Sequence, residues 1–106
     1  MSKANHLNDF LLRVSSDSSL STSHVSFCTA LCSAWIKNKF DNPMKVSRKV
    51  IMEAAKIKSI STYHKILKDL TNLKYFEYTP SYHPLNGSEF LILVGDNSIG
   101  AIWPVM

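Results

Sequence analysis

The apolar residues of this chain change their spacing once, at Lys74, and that change constrains the fold more than any other feature of its 106 residues. Up to Lys74 they recur three and four apart, the period of an amphipathic helix. Beyond it aromatic and polar residues alternate, the period of a strand. The chain therefore reads as a set of helices followed by a small β-hairpin, mostly α in content.

The helical part divides at its turn-forming residues. "NHLNDFLLRV" puts Leu7, Phe10, Leu11 and Val14 on one face and predicts a helix over 4–15, followed by the Ser-rich connection "SSDSSLSTS", which Leu20 pins to the domain. "SHVSFCTALCSAWIKNKF" places Val25, Cys28, Leu31, Cys32, Trp35 and Ile36 together, with Phe27, Ala30 and Ala34 widening the face, so this is the central helix. "DNP", Asp41 to Pro43, stops it. Val46 contributes to a short strand, and Ser47 caps a helix through "RKVIMEAA" whose Val50, Ile51 and Ala54 face inward. "KIKS" is then a tight turn that sends Ile57 to the core and supplies Ser59 as the next cap. Tyr63, Ile66, Leu67, Leu70 and Leu73 define the last helix, to about Lys74, and two helices joined by four residues form a helix-turn-helix.

The strands are "YFEYTPSY" and "EFLILV", joined through the turn-forming pair Asn86-Gly87, with Pro80 and Pro84 keeping the tip irregular. The tail, 95–106, ends in Ile102, Trp103 and Val105, too apolar to stay in water, and is expected to dock on the core or on a second subunit.

A chain of this length suits one domain, 1–106, with its core over 22–94. At 45% hydrophobic and 19% charged residues it has the composition of a globular protein. No apolar run is long enough to span a bilayer, and "MSKANHLNDF" lacks the apolar core of a signal peptide, so the expected location is cytoplasmic. Cys28 and Cys32, four apart on one helix, do not suit a disulfide. The formal charge is only +4, but it is unevenly spread. Pro43 to Tyr78 holds eight basic residues against three acidic, whereas the remainder holds four against five.

The run from Val46 to Phe90, "VSRKVIMEAAKIKSISTYHKILKDLTNLKYFEYTPSYHPLNGSEF", resembles the small winged helix-turn-helix DNA-binding proteins of bacterial mobile elements and of phage replication and regulatory modules. The resemblance lies in the capping serine, the "KI-S" turn, "TYHK" in the third helix and the Pro- and Gly-Ser-containing wing. It implies a three-helix core plus wing with an extra N-terminal helix, and sequence-specific binding of double-stranded DNA.

In that layout the third helix enters the major groove. Removing its apolar stripe leaves Ser59, Ser61, Thr62, His64, Lys65 and Lys68 as expected base contacts. Small hydroxyl residues let the backbone approach the bases, and Lys or His reaches a guanine acceptor. Lys45, Arg48, Lys49, Lys56 and Lys58 surround the second helix and the turn and are expected on phosphates. His83, Asn86 and Ser88 are the wing contacts, over 80–88. His24, Cys28 and Cys32 share one stripe, but without a fourth ligand they read as core rather than as a metal site. The chain contains no phosphate-cradling glycine loop, nucleophile elbow or HExxH pattern. The expectation is thus a non-enzymatic, cofactor-free regulator or accessory factor of a mobile element, nucleoid-associated and homodimeric through its N-terminal helix and tail. The alternative is a winged-helix protein-interaction module of a replication or transfer complex, with the tail reaching a protein partner.

Overall fold

The structure is a computed structural model, and it describes residues 3–80 and 87–93. Helix α1 spans Lys3–Ser16, α2 Thr22–Lys37, α3 Arg48–Ala55 and α4 Ile60–Asn72. Three short strands accompany them: β1 Met44–Val46, β2 Phe76–Thr79 and β3 Ser88–Ile92.

Serine starts three of these helices. Ser21, Ser47 and Ser59 are extended, and each side chain accepts from a backbone N–H in the first turn, of His24, Val50 and Thr62 respectively. Each cap satisfies one donor that a helix start would otherwise leave unpaired. Much of the Ser-rich connection is therefore helix end and helix cap. Both α3 and α4 stop by the same device, a left-handed residue that lets the chain fold back on the last turn: Lys56 has φ 63° and Lys74 has φ 67°. Beyond them Ile57 N–H reaches Met52 O at 3.0 Å and Tyr75 N–H reaches Leu70 O at 3.1 Å.

The strands form one antiparallel sheet in the order β1-β3-β2. Met44 pairs with Phe90 and Val46 with Ser88 on one side of β3, while Phe76 pairs with Ile92 and Tyr78 with Phe90 on the other. The expected hairpin is thus the outer two-thirds of a three-stranded sheet. Asn42 lengthens the β1 edge: its side chain donates to Ile92 O at 2.9 Å and accepts from Ile92 N–H at 2.8 Å, as a strand residue would. Gly87 has φ 74° and lies against β1, where an added Cβ would sit 2.8 Å from the backbone carbon of Val46.

Helix α2 lies at the centre. Phe27, Cys28, Leu31 and Trp35 are buried, and Phe27 packs against Tyr63 of α4 and Phe76 of β2 with ring centroids 5.4 and 5.9 Å apart. Phe76 in turn meets Phe90 edge to face. Several residues expected inside are outside: Leu11, Val25, Ile36, Val50 and Leu73 are all 39–50% exposed, and Ala54 is exposed as well. The physical reason is plain in α3, where "VIMEAA" offers two adjacent apolar faces. Ile51 and Ala55 take the core, with the Ala55 carbonyl accepting from Ser26 Oγ at 2.9 Å, and this rotation leaves Val50 and Ala54 on the rim of a shallow groove beside α2. Leu20 does pack against the core.

Among the described residues no helix is long and apolar enough to cross a membrane. The expected docking of tail 95–106 and the wing positions His83 and Asn86 lie outside the described residues.

Candidate nucleic-acid interface

One side of α4 is core and the other is water. Tyr63, Ile66, Leu67 and Leu70 are buried, whereas Ser61, His64, Lys65, Lys68 and Asn72 are exposed. Ser59 and Ser61 share a hydrogen bond of 2.9 Å at the start of the helix, where Ser59 also caps. Thr62 is half-buried, turned partly toward the domain.

The solvent face of α4 carries no carboxylate because its single acid, Asp69, turns toward α2. There His24 Nε2 meets Asp69 Oδ2 at 2.9 Å, and Lys65 Nζ reaches the same oxygen at 3.2 Å. His24 Nδ1 accepts from Ser21 N–H at 3.1 Å, so the proton shared with Asp69 resides on Nε2. The hydrogen bond from His24, and then that from Lys65, holds the Asp69 carboxyl below the ordinary value of 3.8. Lys65 is thereby tethered, while Lys68 forms no ion pair among the described residues.

The five cations expected on phosphate are all exposed. Lys45 projects outward between buried Met44 and Val46 on β1. Arg48 and Lys49 occupy the first turn of α3, which contains no acidic residue to offset them. Lys56 is the left-handed residue ending α3, and Lys58 lies in the turn. Among the described residues none of the five is paired with a carboxylate. Ser88, the described wing position, is half-buried at the start of β3 and bonds Tyr78 OH across the sheet at 3.0 Å.

The stripe of His24, Cys28 and Cys32 divides its duties between a hydrogen-bond network and the core. Burial pushes both thiols up to about 12, with the neighbouring Cys32 adding to the effect on Cys28. Among the described residues no three His, Cys, Asp or Glu side chains converge as metal ligands.

Two features escaped the reading of the sequence. Arg13 of α1 donates to Lys74 O at 2.7 Å and Leu73 O at 2.5 Å and lies 3.8 Å above the Tyr75 ring, fastening α1 over the end of α4. The second is Ile60, half-exposed at the first position of α4 and lining a groove of about 580 Å³ with Arg48, Lys49, Met52, Lys56 and Lys58. An apolar residue between two serines at a helix start was the available signal for Ile60. The Arg13 contact has no periodic signature. Comparison with protein-family models, with curated proteins and with solved structures finds no match.

Proposed function

We propose that this chain is a winged helix-turn-helix protein that binds double-stranded DNA in a sequence-specific way, as a regulator or accessory factor of a mobile element. It acts by occupancy, without a cofactor. The observation that carries this reading is the α4 solvent face, which offers Ser61, His64, Lys65 and Lys68 with no carboxylate among them, beside five cations that pair with no acid among the described residues. The element order and the β1-β3-β2 sheet support the winged-helix layout. In that layout α4 lies in the major groove, Arg48 and Lys49 bind phosphate beside it, and the β2–β3 connection touches the adjacent backbone. A homodimer would set two copies of α4 on half-sites about one helical turn apart.

The test is fluorescence anisotropy with labelled duplex and single-stranded pools at low and physiological salt, followed by selection of a preferred duplex. Duplex binding that weakens steeply with salt is expected. Lys68→Ala should flatten the preference at particular base pairs. Arg48→Ala should weaken all duplexes alike and reduce the salt slope by about one unit. Equal binding of selected and random duplexes at physiological salt sinks the proposal.

The protein-interaction reading draws support from one observation, the half-exposed Ile60 and its neighbour Met52 in the groove between α3 and α4.

A further inference from the structure

The groove at the α3–α4 turn combines two chemistries that a nucleic-acid backbone does not use together. Its floor is apolar: Ile60 is 50% exposed, and Met52 and Ile57 pack beneath it. Its rim is cationic, with Arg48, Lys49, Lys56 and Lys58 against the single carboxylate of Glu53. On α3, Arg48 and Lys49 in the first turn lie four and three residues before Met52 and so share its side of the helix, while Lys56 follows as the left-handed residue that ends it. Cations therefore stand at both ends of α3, whose 8 residues make it about 12 Å long at 1.5 Å per residue. A phosphodiester chain would satisfy the cations and leave Ile60 and Met52 against water. An acidic segment with an apolar stripe satisfies both at once, and two turns of helix match the spacing.

We infer that this groove docks an acidic amphipathic helix of a protein partner, apolar side chains seated on Met52, Ile57 and Ile60 and carboxylates on Arg48, Lys49, Lys56 and Lys58. Where the groove cations also hold DNA phosphates, the partner and the duplex exclude each other. That consequence alone rests on the DNA-binding reading.

The experiment uses the full chain and a fluorescein-labelled peptide of about 14 residues, leucines on one helical face and glutamates elsewhere. Two controls replace its glutamates by glutamines or its leucines by serines. Saturable binding is expected for the parent peptide, weakened about tenfold or more by either control change and by Ile60→Ser or Lys56→Glu in the protein. Both replaced side chains are exposed, and a thermal melt of each variant verifies that it is folded. If the controls bind as well as the parent, or Ile60→Ser leaves the affinity unchanged, the inference is overturned. Lys68→Ala, outside the groove, separates the two readings: it should weaken duplex binding and leave peptide binding intact. Peptide binding without duplex binding retains this inference and overturns the proposed function. Duplex binding without peptide binding does the reverse.

Discussion

At Gly87 the backbone needs glycine twice over, for a positive φ and for its approach to Val46. The close atoms are backbone, which cannot swing aside as a flexible side chain would. Gly87→Ala is expected to cost about 1–3 kcal/mol, read as a lower urea midpoint with unchanged slope. Asp69 gives a prediction in pH. Its folded pKa lies below the ordinary 3.8, chiefly through the hydrogen bond from His24, so its contribution to stability is present above 3.8 and lost as the pH falls through the folded value. Asp17 titrates in the same direction: burial opposes ionisation, but hydrogen bonds from Ser19 and Tyr75 outweigh it. Following the Asp69 carboxyl carbon by NMR isolates the one from the other. In His24→Ala its midpoint should rise toward 3.8, and an unmoved midpoint would show that Lys65 alone sets it. The sequence reads His24 as a core residue that shares a stripe with two cysteines. Its actual partner is 45 residues away, a pairing that no local spacing encodes.

Elements are joined here by side chains that complete backbone hydrogen bonding at their ends. Arg13 is the clearest case, since its two guanidinium donors meet carbonyls left open where α4 ends. Arg13→Ala should destabilise the domain by about 1–3 kcal/mol in urea unfolding and speed amide exchange in α1 ahead of α4. Arg13→Lys should recover only part of this, because an ammonium lacks the planar fork that spans two adjacent carbonyls. Full recovery by lysine would mean that charge alone fastens α1. The positions of the helices were legible because serine caps and apolar periodicity agree at Ser47 and Ser59. Their rotation was less so, as Val50 and Ala54 demonstrate: a short helix with two apolar faces takes its orientation from whichever face its neighbour can bury.

For the whole molecule, β3 is the member that ties the rest together. Phe90 is fully buried, contacts Phe76 and Tyr78, and lies in register with Met44 on the opposite strand. Phe90→Ala should therefore cost about 3–5 kcal/mol and lower the melting temperature without producing separate transitions for sheet and helices. Two transitions would show that the helices form a unit of their own. Alternation after Lys74 made β2 readable and the β-branched and aromatic run "EFLILV" made β3 so, but the insertion of β3 between β1 and β2 is a tertiary choice invisible to local pattern. The polar face of α4 was readable except at Thr62, which is half-buried; the groove beside Ile60 was not, because it exists only once α3 and α4 are packed. The sheet order also bears on biosynthesis. β1 and β2 leave the ribosome first, each lacking the neighbour they will share, and nothing can close the gap between them until residue 92 has cleared the exit tunnel. A chain terminated before Ser88 and released would present two open strand edges and the aromatic surface of Phe76 to other chains, so premature termination in that interval yields the product most exposed to aggregation.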